Sequence, residues 1–175
     1  MELQEALALI RNEKIIDNKK QNWYDLGAGA GTFTIALAHF LCDGSKIVAI
    51  DENNTALQKI PSHINQTVIE TITKDFTSSD LPYSNFDGIL MANSLHYVKN
   101  KSLLIERISK HLKAEHYFII VEYDTETSNR WVPYPTNFSS LVLLFTKLGY
   151  HSIEKIGEKK SRYNAGKMYA ALICR

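Results

Sequence analysis

Asp25-Leu26-Gly27-Ala28-Gly29-Ala30-Gly31-Thr32 is the stretch on which the reading of this chain turns. It continues a short run with strand character, Trp23-Tyr24-Asp25-Leu26. It opens directly into Thr32 to Leu41, apolar enough to read as a buried helix that stops near Asp43-Gly44. Glycines let the backbone turn tightly and let a ligand approach where a Cβ would collide. The helix that follows presents unpaired N–H groups and a positive dipole end, suited to a carboxylate or a phosphate. Spacing narrows the ligand further. A dinucleotide fingerprint needs G-x-G-x-x-G, but counting from Gly27 puts Thr32 in the last glycine's place, and counting from Gly29 puts Thr34 there. The chain has G-x-G-x-G preceded by an acid, Asp25, which argues against a nicotinamide enzyme.

Working outward, strands alternate with helices. Leu3 to Ile10 carries apolar residues at helical spacing and runs into the polar stretch Asp17 to Asn22. After the glycine loop and its helix, Lys46 to Ile50 reads as a second strand and Asn53 to Ile60 as a helix halted by Pro61. Thr67 to Ile72 is a third strand by its β-branched residues, and Phe86 to Met91 a fourth, buried on both faces. Lys101 to Leu112 places Leu103, Leu104, Ile108 and Leu112 on one helical stripe. Tyr117 to Val121 is the continuous apolar run of a central parallel strand, and Phe138 to Leu148 a helix capped by Gly149. The last two strands, His151 to Ile156 and Met168 to Cys174, have no helix between them and predict an antiparallel hairpin. The charge-rich Lys155 to Arg162 reads as its solvated tip. The fold expected is α/β: a Rossmann-like, doubly wound, mostly parallel sheet with right-handed crossovers.

Chemistry-bearing residues fall at the carboxyl ends of these strands. Asp51 follows Val48-Ala49-Ile50, where doubly wound sheets place an acid that accepts hydrogen bonds from ribose hydroxyls, with Glu52 as an adjacent alternative. Asp75-Phe76 after the third strand offers a carboxylate and an aromatic face to an adenine. The fourth strand runs into Ala92-Asn93-Ser94-Leu95-His96-Tyr97, a polar and aromatic loop. His96 is a candidate base for proton transfer near neutrality, and equally a packing element.

These four segments, in this order, resemble the class I S-adenosylmethionine-dependent methyltransferases, from about Tyr24 to the C-terminus. The resemblance implies a seven-stranded sheet whose final strand inserts antiparallel. It also implies S-adenosyl-L-methionine as cofactor, with Asp25, Gly27, Ala28, Gly29 and Gly31 around its methionine part. Asp51 and Glu52 then face the ribose, Asp75 and Phe76 the adenine, and Asn93 the sulfonium. The segment Asn129-Arg130-Trp131-Val132-Pro133-Tyr134-Pro135 is similar to bacterial members that act on small molecules. Tyr123, Arg130, Trp131, Tyr134 and Asn137 are the expected acceptor-binding residues, with Trp131 and Tyr134 presented rigidly by a loop that two prolines stiffen.

Bulk properties agree. A length of 175 residues suits one methyltransferase domain, with residues 1–22 a helix and connector and residues 23–175 the core. A net charge of +1 gives no general attraction to nucleic acid, and no apolar stretch approaches membrane length. Cys42 and Cys174 lack metal spacing and read as small buried hydrophobes in the reducing cytoplasm. The reaction expected is in-line methyl transfer to a small acceptor. Two other readings stand beside it. One is a cofactor-binding partner subunit without activity. The other is an RNA methyltransferase, although Ala92-Asn93-Ser94-Leu95 lacks the Asn/Asp-Pro-Pro-aromatic stretch of amino-methylating members. With so small a lid, the acceptor site is either open or completed by a second copy in a homodimer.

Overall fold

Trp23 on β1 (Asn22–Leu26) lies opposite Gly88 on β5 (Phe86–Ala92), and a Cβ at that glycine would stand 2.4 Å from the indole ring. The close approach lets two central strands meet without displacing the largest side chain of the core. The computed structural model describes residues 1–160 and 166–175, so Ser161 and Arg162 of the expected hairpin tip lie outside the described residues.

β1 pairs in parallel with β2 (Lys46–Asp51) on one side and β5 on the other. β4 (Thr67–Thr73) is parallel to β2, and β6 (Leu112–Tyr123) to β5. β8 (Lys167–Cys174) inserts antiparallel between β6 and β7 (Ser152–Lys160), which bears out the expected hairpin. With β3 (His63–Ile64) the order is β3-β4-β2-β1-β5-β6-β8-β7, eight strands where seven were expected. The added strand exists because Asn65 adopts φ 50° and turns the chain directly back onto β4.

Strand alternation divides the core. Tyr24, Leu26, Val48 and Ile50 face one way, under α4 (Lys101–Ser109) and α5 (Phe138–Lys147). Trp23, Ile47, Ala49 and Leu90 face the other way, under α1 (Leu3–Ile10) and α2 (Thr32–Ala38). Helix α3 (Asn54–Leu57) is one turn rather than the longer helix expected, with the Asn53 side chain as its cap. The stripe on α4 also needs correction. Leu104, Ile105 and Ile108 are buried, whereas Leu103 is 62% exposed and Leu112 already belongs to β6.

Candidate active site

Loops leave the carboxyl ends of β1, β2, β4, β5 and β6 along one edge, and the strand order reverses between β1 and β5. The glycine loop is set by backbone bonds: the N–H groups of Gly27 and Ala28 both donate to the Ile50 carbonyl, at 2.8 and 3.1 Å. Gly27, at φ +77°, has no room for a side chain, since a Cβ would meet Ser94 Cβ at 2.4 Å. The Ser94 hydroxyl donates to the Leu26 carbonyl at 2.6 Å and so clamps the loop after β5 onto the loop after β1. Gly29 is different. At φ +55° its missing side chain would meet nothing within 4 Å, so the loop is bare on the side that faces the cleft. Gly31 belongs to the fold rather than to the lining: it precedes α2 and packs against Ile60.

Asp25 is 1% exposed. Its Oδ2 accepts the Thr34 hydroxyl, whereas its Oδ1 has no partner among the described residues. Burial pushes this carboxyl up to about 7; the Thr34 bond opposes that and the Asp51 charge adds to it. Asp51 holds two backbone donors, the N–H of Gly29 on Oδ2 and the N–H of Asn53 on Oδ1, each at 2.8 Å. Each oxygen keeps a lone pair for a further donor. The Asp75 carboxylate accepts the Ser78 hydroxyl and both the hydroxyl and the N–H of Thr77, so it spends most of its capacity on its own turn. Those bonds, the one from Ser78 foremost, hold it below the usual carboxylate range. Gly27, Gly29, Asp51, Glu52, Asp75, Phe76 and Asn93 line one cleft of about 600 Å³. A recess of about 220 Å³ beside it takes in Asp25, Ala28, Met1 and Asn93.

Asn93 stands where these spaces meet. Its backbone is left-handed, at φ 55°, and its buried Oδ1 has no partner among the described residues. It also borders a third cleft, of about 790 Å³, with His96, Tyr97, Tyr123, Asn129, Trp131 and Val132. Trp131 is 73% exposed, while Val132 beside it is buried and anchors the loop. The loop is tied down further by Tyr134 N–H to the His96 carbonyl at 3.0 Å and by Lys101 Nζ to the Tyr134 carbonyl at 2.8 Å. Burial pulls the Lys101 ammonium below its ordinary value, with Glu122 opposing.

Three expected acceptor residues sit elsewhere. Arg130 lies over the Trp131 ring, 5.6 Å from its centroid, and Tyr134 packs beside Lys101; neither lines the cleft. Asn137 is a structural cap, its carbonyl accepting from Ser140 N–H and its amide donating to Glu126. Two residues missed from sequence are Ser94 and Glu122. Glu122 is buried at the end of β6, with Oε2 2.6 Å from His96 Nδ1 and Oε1 accepting the His96 backbone N–H at 3.1 Å. An acid closing the apolar run Phe118-Ile119-Ile120-Val121 was the visible signal. No group of three or more metal-binding side chains gathers among the described residues.

The family model described as "Methyltransferase domain" matches residues 17–164. The chain belongs to this methyltransferase family. The methyltransferase also has the fold of solved relatives. A SAM-dependent methyltransferase from Aquifex aeolicus aligns over 99% of this chain and 98% of its own, at 16% identity and a TM-score of 0.68. One from Archaeoglobus fulgidus covers 99% and 94%, at 14% identity and a TM-score of 0.73. The plantazolicin methyltransferase BpumL in complex with SAH covers 91% and 78%, at 14% identity and a TM-score of 0.62. Among curated proteins, none matches. The cofactor of the methyltransferase is S-adenosyl-L-methionine, and the site fits it. A buried, half-bonded Asp25 can take the ammonium of the methionine part, the bare face of Gly29 leaves passage, and the long cleft has room for a nucleoside.

Proposed function

We propose that this enzyme transfers the methyl group of S-adenosylmethionine to a small planar acceptor held between Trp131, Tyr123 and Tyr97. The observation that carries the reading is the position of Asn93, common to the nucleoside cleft, the Asp25 recess and the aromatic cleft. A methyl donor in the first two spaces would present its sulfonium to the third. The cofactor is already activated by its positive sulfur, so the protein supplies alignment and desolvation. In this reading Asp25, Gly27, Ala28, Gly29 and Asn93 surround the methionine part. Asp51, with Glu52 beside it, takes the ribose, and Asp75 with Phe76 borders the adenine. Near-zero net charge and the open aromatic cleft support a small acceptor over a polyanion. Residues 1–175 act as a single catalytic domain in this proposal. A cytoplasmic setting goes with the free thiols of Cys42 and Cys174, and a second copy would complete the open side of the cleft.

The deciding experiment incubates the protein with methyl-labelled S-adenosylmethionine and separate pools of small molecules, RNA and protein, with mass spectrometry of each. Label in small molecules supports the proposal, and label confined to RNA or protein overturns it. Trp131→Ala raises the acceptor KM roughly tenfold, about 1.4 kcal/mol, and leaves cofactor affinity unchanged. Equal loss of cofactor binding would contradict the assignment of Trp131 to the acceptor. Asp51→Ala removes both the ribose partner and the latch on Gly29. Calorimetry with S-adenosylhomocysteine should show a loss of roughly 1.5–3 kcal/mol. Wild-type affinity in that variant would pass the ribose to Glu52.

A further inference from the structure

We infer that His96 takes the proton of the acceptor, that Glu122 holds its ring in the orientation this needs, and that the acceptor group is a hydroxyl on a planar ring. The inference rests on the methyl-transfer reading above and deepens it. Glu122 grips His96 at two points, the ring through Nδ1 at 2.6 Å and the backbone N–H at 3.1 Å, with both side chains almost fully buried at 1–2% exposure. A buried carboxylate facing Nδ1 places the ring proton there, which leaves the Nε2 lone pair free. Nε2 has no protein partner among the described residues, and the ring lines the aromatic cleft beside Asn93. His116 supplies the contrast. It is a structural histidine with both nitrogens bonded inside the protein, Nδ1 to the Lys113 carbonyl at 2.7 Å and Nε2 to the Tyr150 hydroxyl at 2.8 Å.

The need for a base selects the nucleophile. The cations nearest the cleft face carboxylates, Lys159 paired with Glu5 in the recess shared with Asn93 and Tyr123 and Lys101 lying near Glu122, so they leave no bare positive field there. A neutral aromatic amine attacks through its own lone pair and can lose its proton after transfer. A carboxylic acid is already ionised near neutrality and needs no base, and a thiol ionises far more readily than a hydroxyl. A ring hydroxyl, with an ordinary pKa of about 10, does need one. In the step, the hydroxyl oxygen forms the new bond to the methyl carbon. The sulfur–methyl bond breaks and leaves its electron pair on sulfur, and the hydroxyl proton passes to Nε2 and then to water through the open cleft. Tyr97, with its ring 4.4 Å from that of His96, and Tyr123 flank the place where the acceptor ring would lie.

The test uses the full chain, S-adenosylmethionine and three matched probe sets, phenols from unsubstituted phenol to 4-nitrophenol, anilines and thiophenols. S-adenosylhomocysteine binding is measured in parallel by calorimetry. The expected result is methylation of phenols. His96→Gln should lower kcat for phenol by roughly 10²–10⁴-fold, and much less for the far more acidic 4-nitrophenol, with cofactor affinity unchanged. Glu122→Gln should lower kcat while the phenol KM stays in place. A readout independent of turnover and of any variant's folding is the nitrogen-edited NMR spectrum of wild-type His96, which should show the Nδ1–H tautomer. Cofactor binding with methylation only of anilines or thiophenols, undiminished phenol turnover in His96→Gln, or an Nε2–H tautomer would each overturn the inference. Absence of cofactor binding would instead remove the methyl-transfer reading, and this inference with it.

Discussion

Gly29→Val abolishes binding of S-adenosylhomocysteine, the largest effect expected from any single substitution in the glycine loop. Two physical effects combine. The position has φ +55°, a conformation in which a β-branched residue is a genuine outlier. A side chain there would also project into space that holds no protein atom within 4 Å, beside the cleft that Gly29 lines. The backbone strain costs roughly 1–2 kcal/mol of stability. Loss of binding should exceed that, because the branched side chain occupies volume the cofactor requires. The effect separates from packing by comparison with Gly27, where any side chain collides with Ser94 and disturbs the fold itself. Circular dichroism melting together with calorimetry checks this. A folded Gly29→Val protein that binds with wild-type affinity would place the cofactor elsewhere.

Cofactor affinity should also fall steeply as pH drops below about 7, through Asp25. In the ligand-free protein, burial holds this carboxyl at about 7 against an ordinary 3.8. The ammonium of the cofactor can pair only with the ionised form, through the Oδ1 atom that nothing in the described protein satisfies. Binding therefore releases a proton below about 7, and affinity declines roughly tenfold per pH unit there. The sign for stability is opposite. The unfolded chain gives up this proton near 3.8 and the folded chain only near 7. The ligand-free protein accordingly loses stability as pH rises between those values, and bound cofactor restores it. The thermal shift produced by S-adenosylhomocysteine should grow from pH 5.5 to pH 8. Asp25→Asn should flatten that growth and weaken binding at pH 8 by roughly 1.5–3 kcal/mol. A wild-type shift that stays flat with pH would exclude Asp25 as the partner of the ammonium.

The order of elements was legible because each was written locally. Tyr117 to Val121 is apolar throughout, as a strand covered on both faces must be, and the helix-free stretch before Met168 announced the hairpin. Where local signals competed, the reading slipped. Leu103 belongs to a plausible helical stripe, yet α4 turns Ile105 inward in its place, since two stripes of similar spacing share that helix. Asn137 could equally bind a ligand or cap a helix, and the free N–H groups at the start of α5 claimed it.

By itself, the sequence determined the glycine loop, the acids near the ends of β1 and β2, and the absence of a dinucleotide fingerprint, because turn chemistry and strand ends depend on neighbours only a few residues away. Only the tertiary structure decided that Glu122 meets His96, that Ser94 fills the space beside Gly27, and that Asn93 borders the aromatic cleft, the cleft along Asp51 and the Asp25 recess together. Those contacts link residues that are distant in the chain or lie on separate loops. They depend on strand register and on the face to which each side chain alternates, and a shift of one residue would send Glu122 to the opposite side of the sheet.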